Sequence, residues 1–202
     1  MNNFDLHTPT RILFGKGAIE KLREQIPAEA RVLITYGGGS VKKTGVLDQV
    51  FTALNGLDVL EFGGIEPNPS YETLMNAVKL AREEKVTFLL AVGGGSVLDG
   101  TKFIAAAAHY DADIDPWEIL ETYGSKIASA IPMGSVLTLP ATGSESNKGA
   151  VISRKTTGDK RAFMSSHVQP QFAILDPVYT YTLPPRQVAN GVVDAFVHTV
   201  EQ

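Results

Sequence analysis

The chain has 202 residues, of which 44% are hydrophobic and 20% are charged, a composition typical of a globular protein with a sizeable core rather than of a disordered one. Its formal net charge of -4, with both signs mixed along the chain, excludes the basic face that nucleic acid or an anionic membrane would require. It contains no cysteine, which excludes disulfides, thiolate metal sites and cysteine nucleophiles.

The N-terminal segment has no basic stretch followed by an apolar core, so it does not resemble a signal peptide. No stretch of the sequence approaches the roughly 20 consecutive apolar residues of a membrane-spanning helix. We therefore expect a cytoplasmic protein that binds neither nucleic acid nor a membrane.

Apolar runs of strand length alternate with helical patterns, and this order predicts a mainly parallel sheet with helices on its faces. Residues 86–92 form a continuous apolar run, which predicts a strand buried on both faces at the centre of the sheet. The first half of the chain predicts, in order, a strand at 11–14, a helix at 18–26, a strand at 31–36, a helix at 46–56, a strand at 58–62, a helix at 71–84 and the strand at 86–92.

The second half continues the same alternation and adds a hairpin. Its elements are a helix from Ser96, a short helix opening at Pro116-Trp117, a strand at 131–139, a hairpin turning at 156–159, a strand at 172–176 and a closing helix from Pro184-Pro185. The sequence shows no internal repeat and no long linker. These patterns together predict an α/β fold.

A run of glycines follows the central predicted strand: Gly93, Gly94 and Gly95. The helix predicted from Ser96 would present free backbone N–H groups and a positive dipole end, which suit the pyrophosphate of a dinucleotide. Alternatively, Ser96 and Asp99 form a capping box within that helix, and both interpretations can hold together. The helical spacing of Asp99 and Lys102 after the glycines favours nucleotide binding.

The strand predicted at 31–36 ends in a similar turn, formed by Gly37, Gly38, Gly39 and Ser40. Dinucleotide-binding folds often place an acid at this point to hold an unphosphorylated adenosine ribose, and this turn has none. Open backbone, the Ser40 hydroxyl and the nearby Lys42 and Lys43 would accept a 2'-phosphate, which favours NADP over NAD. The alternative is that both lysines are ordinary solvated surface.

The closing helix is apolar nearly all the way round, yet it carries Asp194 and His198 four residues apart, where both side chains meet on one face. A carboxylate among apolar neighbours needs a partner. A structural ion pair would supply one, and so would a divalent metal such as zinc or ferrous iron; the helix alone does not decide between them. The other three histidines have no spacing that marks them as further ligands, so a metal would need ligands from beyond Gln202 or from another chain.

Three segments carry a resemblance to a known family: GGGSVLDGTK at 93–102, TLPATGSESN at 138–147 and NGVVDAFVHTVEQ at 190–202. They resemble the iron-containing, or group III, alcohol dehydrogenases in their butanol dehydrogenase branch. The resemblance implies a Rossmann-like, dehydroquinate synthase-like nucleotide-binding domain over residues 1–183. It also implies that residues 184–202 are the first helix of an all-helical metal-binding domain, because the family's proteins are roughly twice this length.

The same resemblance implies NADP(H) and a divalent metal, Fe2+ or Zn2+, as cofactors, and an aldehyde or alcohol as substrate. It implies that the glycine turns and Asp99 bind the cofactor, that the path to the nicotinamide is lined by Thr138, Thr142, Ser144 and Lys160, and that the first two of four metal ligands are Asp194 and His198. The family's other two ligands, both histidines, have no counterpart here. The alternatives are an inactive dinucleotide-binding module and a related metal-dependent polyol dehydrogenase, and a homodimer is one possible assembly.

Overall fold

The computed structural model describes residues 7–201, which form eight strands and six α-helices. The strands are β1 Arg11–Phe14, β2 Arg31–Tyr36, β3 Asp58–Phe62, β4 Phe88–Gly94, β5 Met133–Leu139, β6 Gly149–Arg154, β7 Asp159–Met164 and β8 Phe172–Leu175. Six of them form one parallel sheet in the order β1-β8-β5-β4-β2-β3, and β6 pairs with β7 in a separate antiparallel hairpin. The parallel sheet and the hairpin agree with the α/β fold predicted from the sequence.

The α-helices lie in the connections between the strands and after the last strand. They are α1 Ser40–Lys43, α2 Val46–Ala53, α3 Tyr71–Glu83, α4 Gly95–Ala108, α5 Glu118–Glu121 and α6 Pro185–Val200. Ser70 precedes α3 and its hydroxyl accepts a hydrogen bond from the Thr73 amide, so this helix has a regular N-cap. Within residues 7–201, no helix combines the length and apolar character needed to cross a membrane.

β4 lies at the centre of the large sheet, between β5 and β2, and its first six residues are buried. Its side chains alternate between two separate cores. Leu89 and Ala91 enter the core on one face, whereas Phe88, Leu90 and Val92 enter the core on the other. This burial on both faces confirms the central position predicted from the continuous apolar run.

The two cores define the layers of the domain. On one face of the sheet, α3 and α4 pack with the hairpin, and Leu74, Phe103 and Phe163 belong to the shared core. On the other face, α2 packs with the segment that follows β1, and Leu22 and Val50 are fully buried there. The sheet is therefore covered on both sides, as a parallel sheet requires.

Residues 18–26 do not form the predicted α-helix. They form two short 3-10 turns, Ala18–Lys21 and Arg23–Gln25, and the backbone is extended again at Ile26. Pro27 follows Ile26, and the proline ring disfavours the α conformation in the residue before it. Gly17 precedes the segment with a left-handed φ of 78°, so the backbone is restricted at both ends of the segment.

Two other predicted bounds shift for local reasons. The strand predicted from residue 131 begins at Met133, because Pro132 has no N–H to donate to a neighbouring strand. The helix predicted to reach residue 56 ends at Ala53, and the turn after it closes at Gly56 with φ 89°.

Gly134 in β5 provides a test of the packing between strands. A Cβ atom built at this position would lie 2.3 Å from the ring of Phe172 in β8, and that ring stacks on Phe88. We expect Gly134→Ala to lower the free energy of unfolding by about 1–3 kcal/mol, because neither ring can move without disturbing the core. The measurement is the urea midpoint at unchanged slope.

Gly191→Ala in α6 is the matched control, since a Cβ atom there meets nothing within 4 Å. We expect this helical glycine to tolerate alanine with no loss of stability. Equal midpoints for Gly134→Ala and the wild-type chain would contradict the tight packing described between β5 and β8.

Candidate dinucleotide and metal site

The two glycine turns lie side by side at the carboxyl edge of the sheet. β2 leads into Gly37–Gly39, and its neighbour β4 runs to Gly94 and leads directly into α4. β5, on the other side of β4, carries Thr138 near its end. Three adjacent strands therefore deliver the predicted cofactor-binding segments to one edge, which is where parallel α/β sheets bind their ligands.

The first turn of α4 has no side-chain cap. Gly94 is the N-cap residue in an extended conformation, and no side chain accepts a hydrogen bond from the first turn. The capping box predicted between Ser96 and Asp99 is absent, because the Asp99 carboxylate instead accepts hydrogen bonds from the Ser144 hydroxyl at 2.7 Å and the Val151 amide at 3.0 Å. The helix has 14 residues, and its free amides and positive end suit an anion.

Two of the glycines at this turn are required by close packing. A Cβ atom at Gly93 would lie 2.7 Å from Cγ2 of Val97, and one at Gly95 would lie 2.5 Å from Oγ1 of Thr142. Real Cβ atoms do not approach neighbours this closely. The bare backbone at the start of α4 is therefore a condition for packing the 140–144 segment against it.

The first glycine turn is more open. A Cβ atom at Gly38 or Gly39 would meet nothing within 4 Å, and Gly39 has a left-handed φ of 102°. Ser40 then begins the short helix α1. The exposed backbone of this turn faces away from the core, as a surface that contacts a ligand would.

Lys42 and Lys43 do not have equal surroundings. The Lys42 ammonium lies 3.5 Å from the Glu61 carboxylate and 4.9 Å from the centre of the Tyr36 ring. Hydrogen bonding to Tyr36 raises the pKa of Lys42, and Glu61 acts in the same direction. Lys43 is exposed, and no salt bridge to it is found within residues 7–201. Of the two lysines predicted to meet a 2'-phosphate, Lys43 is therefore the one whose charge is not already shared.

A cavity of about 250 Å³ joins the two glycine turns. Its walls include Ser40 from the first turn, Gly94 from the second and Thr138 from β5, and Tyr179 and Pro184 close it from the far side. The sequence-predicted residues of both turns thus contribute to one cleft. Its position between the sheet edge and the start of α4 matches that of a dinucleotide-binding crevice.

Thr142 and Ser144 occupy different environments in the turn after β5. Thr142 lies against Gly95 at the start of α4, and its hydroxyl accepts a hydrogen bond from the Ser144 amide. Ser144 is only 2% exposed, and its hydroxyl donates to Asp99 and accepts from Lys102. Thr142 therefore lies against the start of α4 and lines the cavity that contains Asp194 and His198, whereas the Ser144 side chain faces inward.

Lys160 lies on the exposed hairpin strand β7, and its ammonium donates to Oδ1 of Asn68 at 2.7 Å. It is not among the residues that line the cavity between the glycine turns. The structure therefore places Lys160 with the loop that follows β3 rather than with Thr138.

Asp194 and His198 share one face of α6, as predicted, with Oδ1 and Nε2 3.6 Å apart. Two donors on one tetrahedral cation, each about 2.1 Å from it, are separated by about 3.4 Å, so this spacing fits a shared metal. Both residues line a cavity of about 470 Å³ that also includes Thr142. The pair therefore lies next to the segment that packs on the start of α4.

The surroundings of this pair differ from those expected. None of the residues Pro185–Val200 is buried, and the side chains of Asp194 and His198 are 49% and 66% exposed. In this chain the apolar neighbours of the pair, including Val192 and Phe196, face solvent and do not enclose the carboxylate. Between residues 7 and 201, no cluster of three or more His, Asp or Glu side chains is arranged to hold a metal.

Comparison with known proteins gives the family. A model of iron-containing alcohol dehydrogenases matches residues 9–177, which is most of the chain. The chain belongs to the iron-containing alcohol dehydrogenase family.

Relatives within this family cover the whole chain. The NADPH-dependent aldehyde reductase YqhD of Escherichia coli is 86% identical over 202 residues, which are 100% of this chain and 52% of that protein. The NADP-dependent alcohol dehydrogenase 3 of Entamoeba histolytica is 46% identical, and the probable NADH-dependent butanol dehydrogenase 1 of Bacillus subtilis is 47% identical, each over 100% of this chain. The chain spans about half the length of these relatives.

Solved structures of the family share the fold. The crystal structure of YqhD from E. coli K-12 superposes with a TM-score of 0.96 and 86% identity, over 100% of this chain and 52% of that one. The NADH-dependent butanol dehydrogenase A of Thermotoga maritima superposes with a TM-score of 0.92 and 42% identity, over 100% and 51% of the two chains. The Rossmann-like fold predicted by the resemblance is confirmed.

Glu66 anchors the loop that carries Asn68, the partner of Lys160. Its carboxylate accepts hydrogen bonds from Ser70, Thr73 and Lys155 at 2.9, 2.8 and 2.6 Å. Burial alone would raise the pKa of Glu66, but these hydrogen bonds, with that from Lys155 the strongest, lower the pKa to about 2. The loop is therefore held to α3 and to the hairpin by one ionised side chain.

We expect Glu66→Gln to lower the free energy of unfolding by about 1 kcal/mol at pH 7, because the charged partner of Lys155 is lost. The pKa is depressed in the folded state, so the contribution of the carboxylate is complete above its ordinary value of 4.5 and disappears as the pH falls toward 2. Denaturation of both proteins between pH 7 and pH 2 measures this. Glu83→Gln, which removes an exposed partner of Lys79, is the control, and a difference that persists at pH 2 would refute the assignment.

Proposed function

We propose that this chain is the cofactor-binding part of an NADPH-dependent aldehyde reductase that requires a divalent metal. The observation that carries the proposal is the uncapped first turn of α4, which borders the same cleft as the first glycine turn. Membership of the iron-containing alcohol dehydrogenases supports it. The name of the E. coli relative, which is 86% identical, supports NADPH and an aldehyde as the reacting pair.

The preference for NADP rests on the first glycine turn. Residues 37–40 carry no acid that would repel a 2'-phosphate, and Ser40 and Lys43 offer a hydroxyl and an exposed ammonium next to open backbone. Lys42 already pairs with Glu61, so Lys43 is the lysine assigned to the 2'-phosphate. The B. subtilis relative carries NADH rather than NADPH in its name, so the affinities of this chain for the two cofactors are compared directly below.

Within the proposed site, bound NADPH would supply the hydride, and a divalent metal would polarise the aldehyde oxygen as a Lewis acid. The amides of the first turn of α4 would bind the pyrophosphate, and Thr138 and Thr142 would border the path from there toward Asp194. Asp194 and His198 would hold the metal through one oxygen and one nitrogen, a donor set suited to ferrous iron or zinc. The cavity shared by Thr142 and His198 supports bringing cofactor and metal together.

The proposed division of the chain follows from these contacts. Residues 1–183 would form the nucleotide-binding domain, and residues 184–202 would be the first helix of a metal-binding helical domain. The absence of any buried residue in α6 supports this division, since the apolar side chains of Val192 and Phe196 are 65% and 67% exposed. Two ligands do not complete a metal site, so a second candidate function is a dinucleotide-binding module without activity of its own.

Calorimetric titration tests the cofactor assignment. We expect NADPH to bind more tightly than NADH, and we expect Gly95→Ala to weaken NADPH binding about tenfold or more, because the added methyl displaces Thr142 from the start of α4. Gly56→Ala, in the turn after α2, is the control, because a Cβ atom there meets nothing within 4 Å and the turn precedes β3 at the opposite edge of the sheet; it should bind NADPH as the wild-type chain does while folded. Tighter binding of NADH than of NADPH would contradict the proposed role of residues 37–40.

Titration with Zn2+ or Fe2+ tests the metal assignment separately. We expect Asp194→Asn to weaken metal binding about tenfold or more, because the variant loses the carboxylate charge that attracts the cation. His109→Gln is the control, since His109 lies on another element and contacts Ser129. If the chain binds the metal and oxidises NADPH when an aldehyde is added, the result supports the aldehyde reductase. If it binds NADPH but takes up no metal, the result supports the dinucleotide-binding module without activity.

A further inference from the structure

Lys102 is a buried cation that the proposed chemistry does not use. It lies in the middle of α4 and has 0% exposure. Its ammonium donates to Oγ of Ser144 at 2.9 Å, to Oδ1 of Asn147 at 2.9 Å and to the carbonyl of Gly149 at 2.8 Å. All three donor hydrogens therefore have partners, which offsets part of the cost of burying the charge.

All three acceptors lie in one segment of the chain, residues 144–149, which connects β5 to the hairpin strand β6. Burial lowers the pKa of Lys102 to about 8, against the opposing influence of Asp99 and Glu145. The lysine is thus still mainly protonated at neutral pH and can donate all three bonds. A single side chain of α4 consequently ties down the whole turn.

Asp99 holds the same turn from one helical turn earlier. One carboxylate oxygen accepts from Ser144, whose hydroxyl also accepts from Lys102, and the other accepts from the amide of Val151. A negative and a positive side chain of α4 therefore meet through the Ser144 hydroxyl. Charge-assisted hydrogen bonds of this kind are stronger than neutral ones.

The fixed turn reaches the start of α4 through Thr142. The amide of Ser144 donates to Oγ1 of Thr142 at 3.2 Å, and the same oxygen lies against the backbone of Gly95. Any shift of residues 144–149 would therefore move Thr142 relative to the first turn of α4. This path runs from the buried ammonium to Gly95 through two hydrogen bonds and one packing contact.

We propose that Lys102 is a positioning residue, which sets the affinity for NADPH by fixing the 142–149 turn over the start of α4 without touching the cofactor. This inference rests on the proposed function, since it assigns the turn to the dinucleotide site. In this proposal Lys102 acts through the turn, whereas the amides of α4 contact the ligand directly. The buried ammonium thereby fixes the position of Thr142 against the first turn of α4.

The test compares Lys102→Met with the wild-type chain by NADPH titration and by hydrogen exchange. Methionine keeps a long side chain and removes the three donors. We expect the Kd for NADPH to rise about tenfold. The amides of Ser144, Gly149 and Val151 should exchange faster, while those of the central strand β4 should exchange as in the wild-type chain.

Two control variants separate positioning from a general loss of stability. Lys79→Met makes the same chemical change at an exposed lysine of α3, where the ammonium only pairs with Glu83. Leu54→Ala opens a cavity in the core at the far end of α2, where Leu54 is 1% exposed. Both should bind NADPH like the wild-type chain at a temperature where all variants are folded.

If Lys102→Met does not fold, Asn147→Ala provides the same test at an exposed position. It removes one acceptor of the lysine and the acceptor of the Gly149 amide, and we expect the Kd for NADPH to rise about threefold. The proposal would be overturned if the Kd of Lys102→Met for NADPH stayed within about twofold of the wild-type value. If that variant is unfolded, an unchanged Kd in Asn147→Ala would overturn it instead. An equal rise of the Kd in Leu54→Ala would also overturn it. Failure of the wild-type chain itself to bind NADPH would overturn the proposed function and this inference with it.

Discussion

Burial of β4 on both faces determines where the last residues of this strand emerge, and each feature of the candidate site is placed relative to that point. Leu89 and Leu90 enter opposite cores, so the strand has no freedom to shift along its axis without moving apolar side chains out of both. Gly93 and Gly95 follow at once, where Val97 and Thr142 leave no room for a Cβ atom. The start of α4 is thus fixed by packing and has uncapped amides at a defined place.

The overall architecture could be predicted from the sequence because its main signals are local. A continuous apolar run defined β4, helical spacing after Ser70 defined α3, and a glycine-containing turn between two short strands defined the hairpin. The segment 18–26 was misjudged because its apolar spacing is helical while Pro27 and Gly17 restrict its two ends. In a stretch this short, the flanking residues outweigh periodicity.

The site was only partly predictable, because several of its partners are distant in sequence. The glycine turns could be recognised from their positions after strands, but a serine and an acid three residues apart also fit a capping box. Asp99 instead bonds to Ser144, which is 45 residues away along the chain. Helical spacing placed Lys102 on the same helix face as Asp99. No local pattern, however, identified the acceptors of the Lys102 ammonium on the 144–149 turn. Likewise, the cavity that joins Thr142 to His198 depends on tertiary contacts alone.

The exposure of α6 has a consequence for how the Asp194–His198 pair behaves. None of the 16 residues of this helix is buried in a chain that spans about half the length of its relatives, and the pair lies across a cavity from the segment 139–142. The 3.6 Å approach of Oδ1 to Nε2 exists only in the helical state. A cation bridging the two side chains would therefore tie two successive turns of α6 together, and its affinity would depend on how well the helix is ordered.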